Sequence, residues 1–392
     1  MRLSSRVSHL KSSAIMDIAA TANDLKAKGV DVVSLAAGEP DFNTPEPIQR
    51  AATEAMAKGI TKYTPSAGFP QLREVLADKI TNENGFQVHP DEIVITCGAK
   101  HAIFMALQCL LEPGDVVLMP TPAWVSYTPM IELAGATIFP LPLFEEDHYR
   151  VNVDRWKGLA IPPTAKGIII NSPNNPTGMV YNQDDLKRFA AWALSRNLWI
   201  MSDEIYEKMI YDGETHVSTA SLGPEVKANT ITINGFSKSY CMTGWRLGWA
   251  IGDKELIKKM SAYQSQSNSH VTSFVQWAGL TAAKSPESTV ENMRQTFEKR
   301  RNYCMERLNA LSEYLTYTPP KGAFYFFVNF SKFLTPKKMS DFELCKALLD
   351  RHHVALVPGS SFGKEKSIRM SYATSDENLK KAFDRIETFL KS

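Results

Sequence analysis

Ile93-Val94-Ile95-Thr96-Cys97-Gly98-Ala99-Lys100 decides the fold. Its three apolar β-branched residues make a run too short for a helix, and from Ala99 to Leu111 the spacing of apolar residues turns helical. The first half of this unit recurs in Val116-Val117-Leu118, Ile168-Ile169-Ile170, Leu198-Trp199-Ile200 and Ile231-Thr232-Ile233, again with helical patterns between the runs. Such alternation predicts an α/β fold with a mostly parallel central sheet covered by helices and a site at the carboxyl ends of the strands. Asn171, Asp203 and Lys238 each fall at or just past a strand end.

Outward from this region the texture changes. Towards the N-terminus, Ser12 or Ser13 can cap a helix running through Ile15, Ile18, Ala19 and Leu25 to a stop at Gly29. Val32-Val33-Ser34-Leu35 reads as a short strand, and Ala37-Gly38-Glu39-Pro40-Asp41-Phe42 as a loop. Helices around 46–58 and 70–82 bracket the polar loop that carries Tyr63. Beyond a long helical stretch at 287–312, the runs Ala323–Val328 and Val354–Val357 read as strands, with helices near 340–350 and 376–390. That order predicts a smaller α+β C-terminal domain.

Composition narrows the function. The chain has 392 residues, 44% of them hydrophobic, enough for a large core and about two domains. A formal charge of +2 with scattered basic residues offers no stripe for nucleic acid, and no apolar run is long enough for a membrane span. Cys97, Cys109, Cys241, Cys304 and Cys345 are odd in number and widely spaced, which argues against a disulfide framework and a zinc site and fits reduced thiols in a cytoplasm. The first sixteen residues are basic, Ser-rich and free of acids, as in an organelle transit peptide, but leave little length before the first helix.

The chemistry concentrates in a few places. Lys238, in Gly235-Phe236-Ser237-Lys238-Ser239, can form a Schiff base if its amine is drawn down by burial or nearby positive charge. Asp203, in Ser202-Asp203-Glu204-Ile205-Tyr206, can hold a pyridine nitrogen protonated, and Ser237 with Arg246 can hold a phosphate. Cys97-Gly98-Ala99-Lys100 opens a helix after a strand, so its free N–H groups form a phosphate seat. Asn171-Ser172-Pro173-Asn174-Asn175-Pro176-Thr177-Gly178 is a rigid turn able to aim an amide at a cofactor ring oxygen. Trp124 opens a helical stretch and can stack on a ring, while Arg369 can bind a carboxylate with its fork. These groups together describe a pyridoxal phosphate site. Taken singly, each has a plainer reading: a solvated lysine, a helix cap, a turn, a core aromatic, a structural ion pair. No Walker loop, H-E-x-x-H or G-x-S-x-G motif is present.

SLAAGEPDF (34–42), KYTPSAGFPQLRE (62–74), SPNNPTG (172–178), SDEIYE (202–207), FSKSYCMTGWRLGW (236–249), GAFYFF (322–327) and RMSYATS (369–375) stand in an order that resembles the class I pyridoxal phosphate-dependent aminotransferases over nearly the whole chain. SSRVSHLKSSA (4–14) and PAWVSY (122–127) look most like the bacterial aspartate and prephenate aminotransferase branch.

The resemblance implies the type I fold. It divides into an N-terminal arm with part of the small domain (1–44), a large cofactor-binding domain (45–286) and a C-terminal small domain (287–392). It implies that Lys238 forms the internal aldimine, Asp203 pairs with the ring nitrogen, and Asn175 and Tyr206 reach the ring oxygen. Ser237, Arg246 and the backbone at Ala99 and Lys100 would hold the phosphate, with Tyr63 arriving from the second subunit of a homodimer. Arg369 and the backbone at Gly38 would take the substrate α-carboxylate, and Trp124 would stack on the ring. Lys100, helped by Lys11, would read a distal carboxylate. The activity implied is ping-pong transamination of aspartate or glutamate, with prephenate as a further acceptor. An aromatic-amino-acid aminotransferase is the nearest alternative, since Ala123 leaves volume for a larger substrate. A β-lyase and a cofactor-fold transcription regulator are more distant.

Overall fold

The computed structural model describes residues 3–8, 10 and 14–392. Lys11 and the expected helix caps Ser12 and Ser13 lie outside the described residues; the first long helix is Ala14–Ala27. Among the described residues, no helix is long and apolar enough to cross a membrane.

Seven strands form the central sheet, in the spatial order Ile93–Thr96, Gly248–Ile251, Thr230–Gly235, Trp199–Asp203, Ala165–Asn171, Val116–Thr121, Thr137–Pro142. All five apolar runs read from the sequence are in it. Gly248–Ile251 is antiparallel to both its neighbours, and the other pairings are parallel. The segment between Thr230–Gly235 and Gly248–Ile251 is too short for a helical crossover, so the chain turns back on itself and that turn carries Lys238.

Both faces of this sheet are dry. Val117 and Ile169 point into one apolar layer with Ala102, Ile103, Ile257 and Met260, while Leu118, Ile168 and Ile170 point into the opposite layer with Leu186 and Phe189. Alternate residues of each strand thus serve different helical layers, which explains why the runs read as continuously apolar.

A second, four-stranded antiparallel sheet runs Val357–Pro358, Ser367–Ser371, Tyr325–Asn329, Thr316–Tyr317. It packs with the helices Ser288–Asn309 and Asp376–Lys391 around Phe297, Phe326, Leu348 and Phe383. The run Val354–Val357, expected as one strand, divides at Leu356. Val354–Ala355 pairs in parallel with Val33–Ser34, whereas Val357 and Pro358 pair with Arg369 and Ile368. The N-terminal segment is therefore fastened to the C-terminal region, and Ser371 N–H donates to Leu35 O at 2.8 Å.

Candidate active site

One cavity of about 630 Å³ opens where the carboxyl ends of the parallel strands face the four-stranded sheet. Its wall carries Asp203, Tyr206, Ser237, Lys238 and Arg246 from the central sheet side, Asn171 and Asn175 from the proline turn, and Tyr325 and Arg369 from the smaller sheet. Gly38, Glu39, Ala99, Lys100, Trp124 and Tyr127 also line it.

Asp203 ends its strand, is 4% exposed and has no cationic side chain within ion-pair distance among the described residues. Tyr127 Oη donates to its Oδ2 at 2.6 Å and Ile205 N–H to its Oδ1 at 3.2 Å. Burial pushes the carboxyl up to about 6 against the pull of those two donors. A buried carboxylate held by neutral donors alone is suited to a cationic partner brought by a ligand.

Lys238 lies in the return turn, and its ammonium donates to Gly38 O. Burial draws its pKa down to about 8; Glu39 opposes that shift, and the charges of Arg369 and Arg246 add to it. The amine is thus near its midpoint slightly above neutral pH, within reach of both nucleophilic and proton-carrying chemistry.

Arg246 marks the outer end. Its guanidinium donates to Thr243 O at 2.8 Å and Cys97 O at 3.2 Å, at the start of the helix Ala99–Leu110. Gly98, at φ +81°, leaves the space that this guanidinium fills, since a Cβ there would come within 2.6 Å of Nη2. Gly248 is needed for a similar reason: a Cβ would lie 2.6 Å from Ala99 N, so the helix start can press against the strand. Cation, helix N-terminus and the Ser237 hydroxyl converge here as an anion seat.

Arg369 marks the inner end and is 1% exposed. Nη1 donates to Asn175 Oδ1 at 3.1 Å and Nη2 to Ala36 O at 2.7 Å, while Nε has no partner. Asn175 is itself fixed by its N–H to Asn171 Oδ1 at 2.7 Å. Lys100 places Nζ 5.0 Å from the Trp124 ring centre, and partial burial together with Arg246 lowers its pKa.

Two expectations are corrected by this geometry. Trp124 precedes the helix instead of opening it: the helix is Tyr127–Leu133, and Trp124 sits in the turn set by Pro122. Ala123 is buried in an apolar cluster and is not on the cavity wall, so it adds no volume for a substrate. Tyr63, expected to serve a second subunit, is 90% exposed, edge-on to His270 and outside the cavity of its own chain.

Tyr127 and Tyr325 are wall residues to which the sequence reading gave no role. The only signal was a tyrosine closing PAWVSY and another within the phenylalanines of GAFYFF. His216 pairs with buried Glu204 at 3.0 Å. With Glu207 these form a group whose ligand atoms lie within 4.8 Å of one another. Glu204 already accepts from Ser202, Ser218 and Thr219 N–H, so its carboxylate is satisfied within the protein.

The sequence model of the family described as aminotransferase class I and II matches residues 30–386. The chain belongs to this family. It is 45% identical to an aspartate aminotransferase of Geobacillus stearothermophilus over the whole of both chains. It is 42% identical to an aspartate/prephenate aminotransferase of Thermus thermophilus, covering 99% of this chain and 98% of the relative. A solved structure of the Thermus thermophilus aspartate aminotransferase with maleate superposes with a TM-score of 0.93 at 41% identity, over 99% of this chain and 100% of the other.

This aminotransferase has the α/β fold expected, a large part on a mostly parallel sheet with a smaller α+β part, and it uses pyridoxal phosphate. The cavity suits that cofactor chemically. It offers an anion seat at one end, a buried carboxylate without a cation, an amine of lowered pKa and a second, partly unpartnered arginine for a substrate anion.

Proposed function

We propose that this aminotransferase moves the amino group between L-aspartate or L-glutamate and a 2-oxo acid in two half-reactions, with prephenate as a further acceptor to be tested. The observation that carries the choice of a dicarboxylic substrate is Lys100. It is a cation on the cavity wall beside Trp124, close enough to Arg246 for that charge to help lower its pKa. A second carboxylate on the substrate gains from that charge in a partly dry cleft. The relatives' names, aspartate and aspartate/prephenate aminotransferase, support the same reading.

In this proposal Ser237, Arg246 and the N–H groups of Ala99 and Lys100 hold the cofactor phosphate. Asp203 would face the ring nitrogen, Asn175 and Tyr206 would reach the ring oxygen, and Trp124 would lie against the ring. The bound cofactor supplies an aldehyde that carries the amino group and a ring that accepts electron density from the substrate α-carbon. Lys238 holds the cofactor until substrate arrives. Its amine, with a pKa of about 8, would take the α-proton and return it on the other side of the transferred nitrogen. Arg369 fixes the α-carboxylate with its fork, assisted by the backbone at Gly38, and so sets which bond of the α-carbon is presented to Lys238. Lys11 stays in the proposal as a second charge for the distal carboxylate.

We further propose a homodimer, supported by the exposed Tyr63 ring, whose hydroxyl would complete the partner's phosphate site. A cytoplasmic setting is supported by five free thiols. Domain limits near residues 44 and 286 are supported by the pairing of Val33–Ser34 with Val354–Ala355 and by the helix that starts at Ser288.

The test is a half-reaction without any 2-oxo acid. L-aspartate added to the purified holoenzyme should bleach the lysine-linked cofactor band at low concentration, and L-phenylalanine should need far more. Bleaching by phenylalanine or tyrosine with none by aspartate would replace this reading by the aromatic one. Pyruvate released together with ammonia would indicate a β-lyase.

A further inference from the structure

We infer that Tyr325 is a positioning residue: its hydroxyl donates to Tyr206, turns the Tyr206 proton into the cavity, and makes that proton responsive to what Arg369 holds. The inference rests on the proposed pairing of Tyr206 with the cofactor ring oxygen.

The two phenol oxygens stand 2.9 Å apart, and either could be the donor. Tyr325 is fully buried and Tyr206 is 3% exposed, so solvent settles neither hydroxyl. Burial raises the pKa of both phenols, and both keep their protons. Two protons and one shared bond leave one O–H unspent. If Tyr206 donates, the spare proton sits on Tyr325; if Tyr325 donates, it sits on Tyr206, where a ring oxygen can accept it.

Arg369 decides between these arrangements. Its guanidinium carbon lies 4.4 Å from the centre of the Tyr325 ring. A cation over the face of a phenol withdraws electron density from its oxygen and strengthens the O–H as a donor. Arg369 also draws on Tyr206, where burial and Tyr325 itself outweigh it, whereas at Tyr325 it is the chief influence opposing burial. Lys238 Nζ is 5.9 Å from the Tyr206 ring and equally far from Phe324. Tyr325 is therefore the better donor, and the free O–H belongs to Tyr206. In a buried chain of hydrogen bonds each donor strengthens the next, so the Tyr206 proton is also made more acidic towards its acceptor.

The packing keeps Tyr325 in this pose. Its strand Tyr325–Asn329 is paired with the strand that carries Arg369, Phe327 standing opposite it. Gly38 closes over the hydroxyl so tightly that a Cβ there would lie 2.9 Å from Tyr325 Oη. Tyr206 follows the central-sheet strand Trp199–Asp203, so the bond between the phenols crosses from one sheet to the other. A carboxylate seated on Arg369 offsets the positive charge above the Tyr325 ring. Tyr325 then donates less strongly, and occupation of the substrate end is felt at Tyr206 without any movement of the backbone.

Tyr325→Phe tests this directly. It keeps the ring beneath Arg369, removes only the hydroxyl, and leaves Lys238, Asp203, Glu39, Arg246 and Arg369 around the site unchanged. The readout is a spectrophotometric pH titration of the lysine-linked cofactor in the holoenzyme, with and without saturating succinate, a dicarboxylate that has no amino group. A donor to the ring oxygen stabilises the deprotonated form, so its weakening moves the midpoint up, here by about half a pH unit. The part of the succinate-induced shift that passes through the phenol pair should also shrink. Tyr206→Phe should move the midpoint at least as far, and adding Tyr325→Phe to it should move it no further. An unchanged midpoint and succinate shift in Tyr325→Phe, with Tyr206→Phe displaced, would overturn the relay while leaving the cofactor assignment standing. An unmoved midpoint in Tyr206→Phe would remove the assignment beneath it, and the relay with it.

Discussion

Arg246 on the exposed side and Arg369 on the buried side line one cavity, neither paired with a carboxylate among the described residues, yet their surroundings differ. Arg246 is exposed, lies beside a helix N-terminus and shares its end of the cavity with the Ser237 hydroxyl. Arg369 is buried, has an unsatisfied Nε, and carries its charge against Tyr325 and Phe362. An anion at the outer end is met by many modest donors in a wet place. One at the inner end meets a single charge whose desolvation cost has already been incurred by the fold, and whose attraction is correspondingly less screened. The first arrangement retains a cofactor through redundancy; the second discriminates.

The largest effect lies between the two ends. Lys238→Ala should reduce turnover to background while the protein still folds and still binds the cofactor without a covalent link, as read by a changed absorbance band. Full activity in that variant would sink the whole assignment. Arg369→Ala comes next. Removing a buried charge that meets its anion directly should cost about 2–5 kcal/mol of transition-state binding, or a loss of roughly thirtyfold to several thousandfold in kcat/KM for aspartate, with cofactor affinity little changed. Arg246→Ala should show the reverse pattern. Cofactor dissociation, followed by dialysis and band loss, should quicken roughly tenfold, while kcat/KM in excess cofactor falls much less. Equal losses in both assays for both arginines would erase the distinction drawn between the ends.

The sequence made one side of this cavity readable and left the other obscure. Asp203 and Lys238 were legible because the strands before them are almost wholly buried, so each carries a short apolar or β-branched run and a charged residue follows within a few positions. The return strand Gly248–Ile251 was not read as a strand, because its pattern begins with the glycine that the helix start requires. The strand Thr137–Pro142 was missed because it lies at the sheet edge, carries two prolines and has only one fully buried residue. Contacts of high sequence separation were the least visible. Arg369 could be seen as a carboxylate fork, but not that Asn175, 194 positions away, would hold it. Ala123 looked like spare volume beside Trp124, and only the chain direction set by the turn shows that it faces the core.

Tyr127 is the smallest of these tests and the one that best separates support from contact. Its hydroxyl donates to Asp203 across 76 positions of sequence, and that bond lowers a carboxyl which burial has raised to about 6. In Tyr127→Phe the ring still packs edge-on to Trp124, so the cavity keeps its shape. A hydrogen bond to a charged group contributes about 1.5–3 kcal/mol, and its loss should push the Asp203 carboxyl up by about a unit or more. The sign follows from which form binds: only ionised Asp203 can pair with a charged ring nitrogen, so cofactor affinity of the apoenzyme falls as pH drops through the Asp203 pKa. In the wild type that loss should set in near pH 6, and in the variant nearer pH 7, while affinity above pH 8 changes by only a few-fold. Arg246→Ala should instead weaken binding by a similar factor at every pH. A Tyr127→Phe profile that is lowered uniformly, without displacement of its acid limb, would mean that the phenol acts through packing and not through the carboxylate.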